Sequence, residues 1–141
     1  MSSPAVSPIT ISLAGGQKVD ALVGGHIVRT DQPGASGGSD SAPAPFDLFL
    51  TSIGTCAGFF VQRFLTQRGL NSEKTRLVVR PKFGSEGALA DVELEVELAP
   101  DFPAKYREAL VRVIDQCSVK RAIQAQPTFT VKMLGEAKAS D

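Results

Sequence analysis

From Leu48 to Gln62 the chain carries no charge, and the run is closed by Asp47 and Arg63. At roughly 15 residues it falls short of the ~20 that a membrane-spanning helix needs. It also contains Thr51, Ser52, Gly54 and Thr55. The spacing predicts a buried helix over Phe46–Arg68, in which Phe49, Ile53, Cys56, Phe60 and Phe64 form one stripe. Leu48, Phe59 and Leu65 lie off that stripe, so the helix is apolar around much of its girth and needs cover on several sides. With 141 residues the chain is one domain, and one small sheet cannot surround such a helix. A second copy of the chain is the expected cover.

The remaining segments read as an α+β order. Ile9, Ile11 and Leu13 alternate with polar residues, as do Val19, Ala21 and Val23, and His26–Thr30 is β-rich. Gly15-Gly16 and Gly24-Gly25 separate these three strands as hairpin turns. Gln32–Pro45 is a loop rich in Gly, Ser, Ala and Pro, long enough to suggest function. After Gly69, a C-cap signal, come strands over Arg76–Phe83 and Asp91–Leu98. A turn at Glu86-Gly87 pairs Lys82 with Asp91, Arg80 with Glu93 and Arg76 with Glu97, so opposite charges face each other across the ladder. The acidic run of the second strand is then the solvated face of a sheet. Pro103 opens a second helix whose apolar face holds Tyr106, Leu110, Val113 and Cys117. A short helix follows over Val119–Gln124, then a last strand with Phe129, Val131 and Met133. The expected core spans about 9–134, with a frayed polar tail over 135–141.

Composition excludes several functions. Lys+Arg and Asp+Glu number 15 each, which leaves no broad basic surface for nucleic acid. Two Cys and one His are too few for a disulfide scaffold or a structural metal site, and no cofactor motif is present. The Gly-Gly pairs lack the Lys-Ser/Thr of a phosphate loop. Met1–Pro8 has neither a basic residue nor an apolar segment, so the chain is expected in the cytoplasm, where thiols rest reduced.

Chemistry must come from few residues. Cys56 and Cys117 sit on the apolar stripes of two different helices, so the thiols can meet in the core. A free Cys is also an ordinary small hydrophobe, and two inert core cysteines are the plain alternative. A paired dithiol supports one particular cycle. A thiolate attacks a peroxide O–O bond and becomes a sulfenic acid, the second thiol closes a disulfide, and an external dithiol resets the pair. An apolar pocket favours lipophilic hydroperoxides. Local electrostatics make Cys117 the more acidic thiol, because it precedes a short helix that Ser118 could cap.

Two motifs carry a resemblance. Ala44-Pro45-Phe46-Asp47-Leu48-Phe49-Leu50-Thr51-Ser52-Ile53-Gly54-Thr55-Cys56 resembles the first signature of the OsmC/Ohr superfamily, the osmotically inducible protein C and organic hydroperoxide resistance proteins. Asp115-Gln116-Cys117-Ser118-Val119-Lys120-Arg121-Ala122 resembles the second, and Gly25–Asp31 is similar to the general OsmC-like branch. The likeness runs over about Val19–Met133. It implies a two-layer α+β fold in an intertwined homodimer, with central helices at the interface and active sites at the subunit boundary. It implies Cys56 as attacker and Cys117 as resolver, with organic hydroperoxides as substrate and a dithiol as reductant.

The chain departs from the hydroperoxidase pattern at three places. Phe46 stands where those members carry Glu directly after the motif Pro, and the acid comes one residue later, as Asp47. On a helix that shift turns the side chain by about 100°. Arg29 is the candidate for the early-strand Arg that pairs with the attacking thiol, the alternative being a strand Arg facing solvent. Asp47 could orient that cation, or simply favour the first helical turn. The second motif reads Cys-Ser where the family reads Cys-Pro. The leading expectation is a thiol-dependent peroxidase; the alternative is a non-catalytic redox sensor or apolar-ligand-binding dimer.

Overall fold

The computed structural model describes residues 7–135. Strands β1 (Thr10–Leu13), β2 (Val19–Val23) and β3 (His26–Thr30) form an antiparallel meander in the order β1-β2-β3. Val23 pairs with His26 across a two-residue turn in which Gly24 and Gly25 have φ of 51° and 83°. Two consecutive left-handed residues suit the twist of a tight hairpin, and glycine adopts them without strain. Ile11, Leu13, Leu22 and Ile27 of this meander are exposed.

The expected long loop is not loose. Asp31 is buried, and its carboxylate accepts hydrogen bonds from the Ser41 hydroxyl at 2.6 Å and from the backbone N–H groups of Gln32, Ser41 and Ser39 at 2.8, 3.1 and 3.3 Å. A single 3-10 turn, Gly34–Ser36, lies inside this bracket. At Gly38 an added Cβ would sit 1.9 Å from the Gln32 carbonyl oxygen, so only glycine fits. The loop therefore delivers the chain to the next helix on a fixed path.

Helix α1 (Pro45–Gln67) starts with Pro at its first position and ends in an αL residue, Gly69 (φ 64°). The hydroxyls of Thr51, Ser52 and Thr55 bond back to carbonyls of the preceding turn, which satisfies polar groups inside an apolar run. Its fully buried residues are Ile53, Ala57, Val61, Phe64 and Leu65. The stripe expected from spacing is thus rotated: Phe49, Cys56 and Phe60 are only half-buried, and Phe59 is 58% exposed. By length and composition α1 could cross a bilayer, but here it packs against α2, α3 and β4.

Strands β4 (Arg76–Phe83) and β5 (Leu89–Glu97) pair antiparallel in the register expected from charge, Arg76 opposite Glu97, Arg80 opposite Glu93 and Lys82 opposite Asp91. β5 starts two residues earlier than expected, with an irregularity at Lys82/Phe83. Arg76 bonds its directly opposed Glu97 and Lys82 pairs with its opposed Asp91 at 3.8 Å, while Arg80 and Lys82 also reach diagonally to Glu95 (2.7 Å) and Glu93 (3.1 Å). All of these side chains are exposed, so the ladder sets register more than it adds stability. The other face packs on α1. Gly54 permits this close approach: a Cβ there would meet Val79 Cγ2 at 2.6 Å.

Pro103 lies just outside a 3-10 turn (Ala104–Tyr106) that leads into α2 (Arg107–Ile114), so the second helix begins later than the proline suggests. Its Leu110 joins Val61, Phe64, Leu65 and Phe102 in the main core cluster. Phe64 meets Tyr106 edge to face, and the Arg68 guanidinium lies 3.5 Å over the Phe64 ring. Helix α3 (Ser118–Gln124) follows, with Cys117 and not Ser118 as its N-cap. The last strand expected at Phe129–Met133 is absent among the described residues. A strand needs a hydrogen-bonding neighbour, and a single copy offers none there: Phe129, Val131 and Met133 are 88–91% exposed. Residues 136–141 of the expected tail lie outside the described residues.

The Asp31 bracket has a pH signature. The Ser41 hydroxyl and the surrounding amides hold its carboxyl at about 2, below the ordinary 3.8. A depressed acid stabilises the fold above its unfolded value and loses that contribution as pH falls toward the folded one. Asp31→Asn should lower the thermal midpoint at neutral pH, and the gap from wild type should shrink between pH ~4 and ~2. A gap independent of pH would show that the carboxylate charge does not hold the loop.

Candidate active site

Cys56 projects from the middle of α1 toward the start of α3. Between α2 and α3 the Cys117 N–H bonds the Ile114 carbonyl at 3.1 Å, and the Cys117 carbonyl accepts the first bond of α3 from Arg121 N–H at 3.1 Å. This corner buries the Cys117 side chain, 1% exposed, and turns the first residues of α3 onto Cys56. Both cysteines are free thiols, and each is near enough to shift the titration of the other. The Ser118 hydroxyl lies 3.6 Å from Cys56 Sγ.

The two thiols are driven in opposite directions. Burial raises Cys56, but the Val119 amide, the Cys117 thiol, and the Ser118 hydroxyl and amide outweigh it, and the net shift is down. Cys117 goes up: its burial, the bond to Cys56 and the charge on Cys56 outweigh the amides of Lys120 and Val119. The expectation that Cys117 is the more acidic thiol is therefore corrected. The donors at the start of α3 serve Cys56 across the gap, while Cys117 is enclosed. Sequence spacing could not show this, because it depends on the α2–α3 corner angle.

A cavity of about 440 Å³ opens between α1, β5, α2 and α3. Ile53, Val92, Leu94, Val96, Ile114 and Ile123 make it apolar. Its polar edge carries Asp115 and Lys120, which form an ion pair at 2.7 Å. Neither cysteine lines this cavity; Ile53, one helical turn before Cys56, is the α1 residue that reaches it.

Arg29 and Asp47 stand apart from the thiols in a single copy. Arg29 is exposed on β3, opposite Asp20. Asp47 is exposed in the first turn of α1, about 13 Å from Cys56 along the helix axis at 1.5 Å per residue. Neither forms an ion pair among the described residues. Ser118, read from sequence as a helix cap, is the side chain that reaches Cys56. The signal that pointed to it was its place directly after Cys117.

Antiparallel sheets with one long helix, and two thiols between that helix and a downstream corner, define a class of α+β thiol protein. Residues 38–132 match the family model of OsmC-like protein. The chain belongs to the OsmC-like protein family. No curated protein matches it. Among solved structures, a Psychrobacter arcticus 273-4 protein named for osmotic stress induction and a detoxification response is 15% identical, with a TM-score of 0.71 over 86% of this chain and 91% of its own. An OsmC-like protein of Mycoplasma pneumoniae is 14% identical, with a TM-score of 0.70 over 88% and 91%. An organic hydroperoxide resistance protein of Elizabethkingia anophelis is 17% identical, with a TM-score of 0.60 over 88% and 93%. At these identities the likeness is one of fold.

The opposed shifts give a labelling order. Substoichiometric iodoacetamide at neutral pH should modify Cys56 well before Cys117, read by peptide mass. Equal labelling, or Cys117 first, would contradict the assignment of Cys56 as the more acidic thiol.

Proposed function

We propose that the chain is a thiol-dependent peroxidase that reduces organic hydroperoxides through a two-cysteine cycle. The observation that carries this reading is the pair of neighbouring thiols driven in opposite directions of acidity, with an apolar cavity one helical turn from Cys56. The Cys56 thiolate attacks the terminal oxygen of ROOH. The S–O bond forms as O–O breaks, RO⁻ leaves and takes a proton from water, and Cys56 becomes a sulfenic acid. The Cys117 sulfur then displaces the sulfenic oxygen, forming the disulfide and releasing water. An external dithiol is oxidised as the two thiols are restored. Resting as a dithiol suits a reducing compartment such as the cytoplasm. The family fold, together with relatives named for organic hydroperoxide resistance, supports the same direction.

The working unit in this reading is a homodimer. Phe59 on α1, Ile11, Leu13, Leu22 and Ile27 on the meander, and Phe129, Val131 and Met133 beyond α3 leave far more apolar surface exposed than scattered single residues do. Arg29 and Asp47 belong to the site only if a second copy brings them to the boundary. A redox-sensing or ligand-binding dimer is the second reading, favoured by their distance from the thiols in one copy.

Cys56→Ser should abolish consumption of cumene hydroperoxide in the presence of dithiothreitol. Cys117→Ser should react once and stop at a sulfenic acid that dimedone traps. The reverse pattern would exchange the two roles, and a wild type inert to peroxide would leave the sensing or binding reading. Light scattering should return twice the 14.9 kDa chain mass. Phe59→Asp should yield monomer or aggregate, and a monodisperse wild-type monomer at micromolar concentration would remove the dimer.

A further inference from the structure

We infer that Ser118 activates Cys56 directly, its hydroxyl donating a hydrogen bond to the Cys56 thiolate. The inference rests on the peroxidase or sensor reading only in taking Cys56 as the reactive thiol.

Three observations converge on Ser118. Its hydroxyl lies 3.6 Å from Cys56 Sγ, within sulfur hydrogen-bonding range, although 62 residues separate the two in sequence. Its position as the first residue of α3 rules out the ordinary explanation of a helix-start serine. Cys117 holds the N-cap position and no side chain caps the helix, so the Ser118 hydroxyl is left for Cys56. Finally, within one copy of the chain the charged candidates are elsewhere: Arg29 is exposed on β3, and Asp47 lies about two and a half turns away on α1.

The residue type is what makes the device possible. A proline at this position would bring neither an N–H nor an O–H to the sulfur. Serine brings both, and both pull the Cys56 thiol down against its burial. A hydroxyl facing a thiolate can only donate, and a hydrogen bond to a charged acceptor is stronger than one to a neutral acceptor. The bond therefore favours the thiolate over the thiol. Ser118 touches a reacting atom and in this sense is a catalytic residue.

The test compares Ser118→Thr with Ser118→Val, which match in shape and differ in the hydroxyl, with Ser118→Ala as a third variant. The readout is the pH profile of Cys56 alkylation by iodoacetamide, followed by peptide mass with Cys117 in place. Val and Ala should raise the Cys56 pKa by about one unit, and Thr should stay near wild type. Well below the pKa the alkylation rate should then fall only about threefold, because the less acidic thiolate is the better nucleophile. Identical profiles for Thr and Val would overturn the inference, as would an Ala profile superimposed on wild type. Alkylation needs no peroxide chemistry. A wild type that fails to consume hydroperoxide but shows the Thr/Val difference loses the peroxidase reading and keeps this one.

Discussion

The contact between the middle of α1 and the first residues of α3 is what the rest of the molecule serves. A thiol in the centre of an apolar helix is, by burial alone, a poor nucleophile. It becomes a reactive one only if donors arrive from outside the helix. The α2–α3 corner supplies them, and it holds its place because Leu110 and Phe102 anchor α2 on Val61, Phe64 and Leu65 of the same helix. The core and the site therefore share α1. The C-terminal half of the helix fixes the corner, and Cys56, two turns earlier, receives what the corner presents.

The upstream half of the molecule controls where α1 starts. The Asp31 bracket and the glycine-only position at Gly38 turn a segment of loop composition into a fixed lead-in. Gly54 then lets α1 lie close on β4. None of these features touches sulfur; they fix the lead-in to α1 and its seat on β4.

Much of this was legible in the chain. The β4–β5 register followed from charge alternation, since a one-residue slip would set Arg76, Arg80 and Lys82 opposite apolar residues and turn Val92, Leu94 and Val96 to solvent. The α1 boundaries, expected at Phe46–Arg68 with Gly69 beyond, lie one residue earlier at each end. The meeting of Cys56 with Cys117 followed from two core-facing helices. What was not legible depends on three-dimensional angles. Periodicity placed Cys56 and Phe60 in the centre of the buried stripe, whereas packing against α2 and β4 centres it on Ala57 and Val61. The acidity order inverted because donors local in sequence to Cys117 are local in space to Cys56. The last strand failed for the reason that any strand fails alone: Phe129, Val131 and Met133 have the right alternation, but no edge lies beside them.

The unequal surroundings of the two sulfurs also bear on how an oxidised pair would be reopened. In thiol–disulfide exchange the less basic sulfur is the better leaving group, so electronics direct an incoming thiolate to Cys117, with Cys56 expelled. Steric access directs it the other way, because Cys117 is sealed by the α2–α3 corner while Cys56 remains half-open. The same corner that lowers the Cys56 thiol therefore shields the sulfur whose attack would release it best. In the proposed cycle a reductant would have to be slender enough to pass the start of α3, or accept the slower exit of Cys117.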